Sequence, residues 1–447
     1  MKKFLTFVII IVSLNFYCQT EDLEQRLKKL EETLATQAAV ISEQRKEIEE
    51  LKAEIESLKS QKEAAKNVVP SQSKEMQLKP TGLFGSSNLM NPNISLVVDT
   101  AAYTSNLKKN ELNERYIPGF TSAEGESYDK GFHLNYAELY LYAPVDPYFN
   151  LYATIPFTED GSEIEEAYFL TTALPNGIQI KGGKFRSNFG RLNSQHEHTW
   201  DFYDQPLAYK AFLGEEGLDE TGFSVMYVPP TPFYLNFGAE LFQGSNEMLF
   251  GKDAKNGPHC YTLYAKTSFD FGNYSTILTG LSAAKGYALN RSIKDESLFT
   301  GKSTLYDFEF TYKWKKSKYK GFTLQSEYLY RTQKGDLEGD LLNGYLKRFQ
   351  DGFYIQGVYL FGNGKWRIGS RYDRLNLFKD DYKLNDENLY FGKDPYRISF
   401  MAEYNPTEFS RIRLQYNNDK SNRFERTNRE FILQFIFGIG AHAAHSF

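Results

Sequence analysis

The sequence predicts a transmembrane antiparallel β-barrel of about sixteen strands, preceded by an N-terminal coiled-coil helix. Three observations carry this. From residue 93 onward, runs of about ten residues alternate between apolar and polar positions. The spacers between those runs alternate between short and long. Upstream, residues 21–62 repeat apolar residues on a heptad.

Composition sets the outer limits. The chain has 447 residues, 16% aromatic and 24% charged. So many aromatics argue against disorder. Beyond the N-terminus no apolar run reaches the roughly 18 residues of a membrane-spanning helix. Lys+Arg 52 against Asp+Glu 57 gives a net charge of −5, so no nucleic-acid partner is expected. Two cysteines, Cys18 and Cys260, rule out a disulfide framework.

Residues 1–20 read as an export signal. Lys2 and Lys3 form the basic start, and Phe4 to Leu14 the apolar stretch. Cleavage is expected near Cys18, with lipidation of that cysteine as the alternative. Removal of Cys18 leaves Cys260 without a bridging partner.

Residues 21–62 read as a parallel coiled coil. Leu27, Leu34, Ile41, Ile48 and Ile55 form one seam. Leu23, Leu30, Gln37, Gln44, Leu51 and Leu58 form the other, offset by three. Arg26 with Glu31, Glu47 with Lys52 and Glu54 with Lys59 match the charge pairing across such a seam. The segment predicts self-association and leaves the strand number open. Residues 63–92, with Pro70, Pro80 and Pro92, read as a linker.

Residues 93–447 read as the barrel. In one run Tyr306, Phe308, Phe310, Tyr312 and Trp314 alternate with Asp307, Glu309, Thr311 and Lys313. Other runs set Trp366, Ile368 and Tyr372 against Arg367, Arg371 and Asp373, and Ile412, Leu414 and Tyr416 against Arg411, Arg413 and Gln415. Lipid outside and water inside produce this pattern. Strands are expected to start near Ile94, Gly131, Tyr148, Glu163, Gly177, Thr221, Pro232, His259, Asn273, Ser303, Gly321, Gly352, Lys365, Tyr396, Phe409 and Arg429. Long external loops are expected at 105–130, 186–220, 244–258, 285–302, 332–350, 375–394 and 419–428. A barrel of this size leaves an aqueous channel. An even strand number places the coiled coil in the periplasm of a Gram-negative-type cell.

A cleaved signal, an N-terminal coil, sixteen strands and the terminal Phe447 resemble the phosphate-selective porin O/P family and its coiled-coil-bearing, dicarboxylate-porin-like relatives. Gly183-Lys184-Phe185-Arg186-Ser187-Asn188-Phe189-Gly190-Arg191 is similar to that family's fifth strand leading into its third loop. The resemblance implies a homotrimer of open channels in the outer-membrane bilayer. These pass small hydrophilic solutes, anions among them, with no cofactor and no enzymatic activity. It also implies a ladder of inward arginines, for which Arg367, Arg371, Arg397, Arg411 and Arg413 are the candidates.

The loop 186–220 is the expected constriction. It carries Arg186, Arg191, Asp201, Asp204, Lys210, Glu215 and Glu216. An acidic loop facing a basic wall would set up a transverse field for dipolar solutes. His196 and His198 in the same loop are candidate metal ligands, with Asp201 or Asp204 completing a site. His442 and His445 form a second histidine pair. Two other readings stay open: a tether to the cell wall anchored by the barrel, and a metal-linked outer-membrane protein. No Gly-x-Ser-x-Gly elbow supports a hydrolase.

Overall fold

The computed structural model describes residues 92–113, 115–120, 130–250, 257–292, 298–339, 343–422 and 426–440. The signal, the coiled coil, the linker up to residue 91, the His442–His445 pair and Phe447 lie outside the described residues. Within the compact unit Ser87–Phe447, sixteen long strands form one antiparallel sheet.

In chain order the strands are β1 Asn93–Ser105, β2 Gly131–Pro144, β3 Phe149–Thr158, β4 Glu166–Thr171, β5 Ile178–Arg186 and β6 Asp219–Tyr227. Then come β7 Tyr234–Phe242, β8 Cys260–Phe271, β9 Ser275–Ser292, β10 Leu298–Ser317 and β11 Lys320–Glu338. The set ends with β12 Gly344–Phe361, β13 Trp366–Leu384, β14 Tyr396–Thr407, β15 Ser410–Asp419 and β16 Asn428–Gly440. Two-residue ladders at Gly161–Ser162 and Glu387–Asn388 fold back onto β3 and β13. Each strand pairs with its chain neighbours, and β1 pairs with β16, so the sheet closes. Closure removes every sheet edge, as a lipid environment requires.

Alternation decides which face each side chain takes. On β10 Tyr306 and Phe308 are exposed outward, while Asp307 and Glu309 are buried inside. On β13 Trp366 and Ile368 face out and Arg371 and Asp373 face in. Phe223, Leu263, Leu281, Phe400 and Leu414 extend the outer apolar surface around the barrel. An apolar outside around a charged inside is the distribution of a membrane-spanning barrel.

One end has short turns. At the β2–β3 turn the Asp146 carboxylate accepts the Tyr148 and Phe149 N–H groups at 2.7 and 2.9 Å. At the β12–β13 turn Gly362, Asn363 and Gly364 all adopt positive φ, the geometry that glycine and asparagine tolerate best. The long connections gather at the other end.

Three expected loops are shorter than the sequence pattern suggests. Much of 285–302, 332–350 and 375–394 is strand, and β10 and β12 begin at Leu298 and Gly344 rather than near Ser303 and Gly352. Strands β9 to β13 are 18 to 20 residues long, against about 9–11 needed to cross a bilayer. Beyond that band the outward positions need not be apolar, and Lys302 and Lys347 occupy them. The hydropathy pattern stops there while the hydrogen-bonded ladder continues.

Candidate functional site: the barrel interior

The segment between β5 and β6 folds into the barrel. It contains a 3₁₀ turn, Glu197–Thr199, and a short helix, α2, at Leu207–Leu213. An earlier helix, α1, spans Lys109–Asn113. Phe189, Leu192, Phe202, Leu207, Ala208, Phe212 and Leu213 of the inward segment are buried. Several of them pack on the inner-wall residues Leu305, Leu329, Tyr354 and Leu375, with Ile117 and Phe120 from the first long loop. Part of the lumen is therefore an apolar core. The charges of this loop were legible in the sequence; so were its bulky apolar residues, which signal a segment that must bury a face of its own.

The arginines of β13–β15 hold one side of the segment. Arg371 donates to the Asp204 carbonyl and carboxylate at 2.7 and 2.6 Å and to Asp373 at 3.0 Å. Arg397 reaches the Asp204 carboxylate at 2.9 Å and the Gln205 carbonyl at 2.5 Å. Arg413 donates to the Trp200 carbonyl at 2.7 Å and to Glu403 at 2.8 Å. Arg411 donates to the His198 carbonyl at 2.7 Å. Arg367 pairs with Asp201, and with Glu403 at 2.9 Å. The structure thus brings Asp201 and Asp204 into contact with the basic wall rather than facing it across a gap. Burial alone would raise the Asp204 carboxyl; Arg397 and Arg371 outweigh it and hold the group well below the usual carboxylate range.

An acidic group two strands from β13 holds a second part of the segment. Glu327 of β11 accepts the Arg191 and Leu192 backbone N–H groups at 2.6 and 3.1 Å and the Tyr209 hydroxyl at 2.6 Å. It also accepts the Tyr354 hydroxyl. Gly190, at φ +61°, lies against Tyr209 and Glu327 so closely that any Cβ would collide with both. The remaining loop charges lie elsewhere. Lys210 is 3.6 Å from Glu215, and Glu215 and Glu216 are exposed. Arg186 is the last residue of β5 and pairs with Glu165.

His196 immediately precedes the 3₁₀ turn and His198 lies within it, with roughly parallel rings 5.8 Å apart. Their carboxylate neighbours are not Asp201 and Asp204, which the arginines occupy, but Glu138, Glu165 and Glu166. His196 Nε2 is 3.0 Å from Glu166, and its Nδ1 is 3.5 Å from Glu165 and 3.8 Å from Glu138. His198 Nδ1 is 3.5 Å from Glu138. Burial disfavours a charged His196 ring, but the Glu165 and Glu166 carboxylates outweigh it and raise its pKa well above the ordinary histidine value.

Two cavities in the barrel interior are lined by charged residues of this turn and of the strands around it. One, of about 360 Å³, is lined by Asp99, Tyr136, Glu197 and Arg397 among others. The second, of about 440 Å³, is lined by Glu138, Arg191, His196 and Lys266 among others. Neighbouring residues in sequence line different cavities: Glu197 the first and His196 the second.

The barrel is similar to the outer membrane channel DcaP of Acinetobacter baumannii at 13% identity and a TM-score of 0.49, covering 80% of this chain and 99% of that one. It is also similar to an anion-selective porin from Comamonas acidovorans at 10% identity and a TM-score of 0.47, covering 78% of this chain and 100% of that one. No protein-family profile matches the sequence. A protein of Aquifex aeolicus (strain VF5) described as an "Uncharacterized protein" is 45% identical over 379 residues, covering 80% of each chain. That identity over that span places the chain in one family with the Aquifex aeolicus protein.

Proposed function

We propose that this protein is an outer-membrane diffusion channel of the porin type for small hydrophilic solutes. The observation that supports this reading is the pair of cavities lined by charged side chains inside the barrel, one lined by Glu197 and the other by the adjacent His196. Solutes would pass from one to the other beside Tyr136, Glu138, His196 and Glu197, with the inward segment as the constriction. The resemblance to the phosphate-selective porin O/P family, homotrimer assembly and a periplasmic coiled coil belong to the same reading.

Charge preference follows from the cavities rather than from the arginine ladder. Asp201, Asp204, Asp373 and Glu403 neutralise Arg367, Arg371, Arg397 and Arg413. The first cavity is acidic, with Asp99, Glu197, Asp204, Glu215, Asp419 and Glu430 against Arg115, Lys210 and Arg397. In the second, Lys181, Arg186, Arg191 and Lys266 outnumber Glu138, Glu166 and Glu309. Any anionic preference rests on the second cavity.

A barrel used as an anchor for a periplasmic tether is the second reading, favoured by the apolar core that fills part of the lumen. Single-channel current across a planar bilayer separates the two. Stepwise conductance in triplets is the result expected of a trimeric channel, and a correctly folded but silent barrel favours the anchor.

A further inference from the structure

The histidine-carboxylate cluster at the second cavity has the chemistry of a metal site. Glu138, Glu165 and His196 each offer one ligand atom, and these atoms all lie within 4.8 Å of one another. The two nitrogens of His196 have different roles. Its Nε2 is 3.0 Å from Glu166, so Nε2–H donates to that carboxylate. Its Nδ1, buried and without a hydrogen bond among the described residues, is directed at Glu165 and Glu138. The carboxylate behind the imidazole is the outer-shell arrangement that orients metal-bound histidines.

The spacing fits coordination better than hydrogen bonding. The contacts from Nδ1 to Glu165 and Glu138 are 3.5 and 3.8 Å, longer than the usual span of about 2.7–3.2 Å. Metal–ligand bonds of about 2.0–2.2 Å set neighbouring ligand atoms about 3.3–3.6 Å apart in a tetrahedron. Charge agrees. Three carboxylates (Glu138, Glu165 and Glu166) surround the ring against the Arg186 guanidinium, with Lys181 also acting on Glu166, and a cation taking the place of the ring proton at Nδ1 would meet this excess. Arg186 donates to Glu165 at 2.8 Å and holds it in place. His198, 3.5 Å from Glu138, stands beside the open fourth position.

We infer that this cluster binds one divalent first-row transition metal through Glu138, Glu165 and His196. An imidazole together with carboxylates suits zinc and its neighbours and does not suit calcium. The site lies on the proposed solute path, yet its binding of metal does not depend on that path conducting.

Zinc uptake by the purified full-length protein tests this, read by elemental analysis after equilibrium dialysis and by the visible spectrum after cobalt(II) loading. One zinc per chain is expected, retained against a large excess of calcium. His196→Ala should abolish it. Glu166→Gln should weaken it about 10–100-fold. Glu197→Gln, on the opposite cavity, and the double change His442→Ala with His445→Ala should leave it intact. Folding of each variant is checked by heat-modifiable gel mobility. Should His196→Ala fail to fold, the cobalt spectrum of the parent protein decides alone, since imidazole and carboxylate ligation in a tetrahedral field gives intense visible bands. No zinc on the parent protein, no cobalt bands, or full zinc on His196→Ala would overturn the site.

Discussion

Arg371 grips Asp204 twice, through the backbone carbonyl at 2.7 Å and the carboxylate at 2.6 Å. A third donor, Nε, reaches Asp373 at 3.0 Å. One wall residue thus joins a strand of the barrel to the segment inside it. Arg397 repeats the arrangement, reaching Asp204, Asp373 and the Gln205 carbonyl.

Breaking that grip should loosen the constriction. Arg371→Ala leaves Asp373 buried without one of its donors, and truncating one member of a buried pair costs about 3–5 kcal/mol. The inward segment, not the barrel, should bear that loss. Larger conductance and greater open-channel noise are expected, with gel mobility unchanged. Identical noise would mean that the apolar contacts alone seat the segment.

The grip should also survive mild acid. The native Asp204 carboxyl lies below its ordinary value, so the released segment binds more protons than the seated one. Its contribution is complete above the ordinary carboxylate pKa of about 4 and declines as pH falls through the lower native value. The part of the channel noise that depends on Asp204 should rise only in acid below about pH 4, separate from any change near pH 7 owed to Glu197, whose carboxyl is pushed by burial up to about 7. In Asp204→Asn that acid step should disappear.

Phe212 tests the apolar side of the same seat. It is buried in the core inside the barrel and stacks edge-on with Phe120 at 5.6 Å. The guanidinium of Arg331 lies 4.9 Å from its ring centre. Phe212→Ala should cost about 3–5 kcal/mol. Protease cleavage within residues 187–218 should accelerate while the strands stay resistant. Equal cleavage rates in the parent and the variant would count against a role for this core in holding the segment.

Glu327 should matter as an acceptor. It receives two backbone N–H groups and two tyrosine hydroxyls. Glu327→Ala strands those donors, each at about 1–3 kcal/mol, and Glu327→Gln should recover part of the loss. Gly190→Ala should reproduce the defect by collision. Thermal scans of the three variants should rank Glu327→Gln above the other two.

Neutralising Arg367, Arg371 and Arg413 together should shift ion preference toward cations. These residues balance Asp201, Asp204, Asp373 and Glu403, so their loss leaves carboxylates in excess. Reversal potential in a salt gradient reads this directly, and an unmoved value would mean that the carboxylates left without these partners are not felt along the solute path.

Strand number, inward and outward faces and the inward loop were legible because a barrel wall is decided locally. Lipid on one side and water on the other impose a period of two on each strand, and short turns carry their own chemistry at Asp146 and Asn363. The ends of β9 to β13 were not legible, because outside the bilayer the ladder no longer needs an apolar face. Partners inside the barrel were not legible either. Arg371 and Asp204 are 167 residues apart in the chain, and Arg191 is 136 from Glu327. His196 pointed to metal chemistry by its spacing from His198, but its carboxylates come from β2 and the approach to β4. Sequence by itself determined a closed wall with charged residues inside; tertiary structure alone decided which charges meet, because closure of the sheet brings strands distant in the chain around one inward segment.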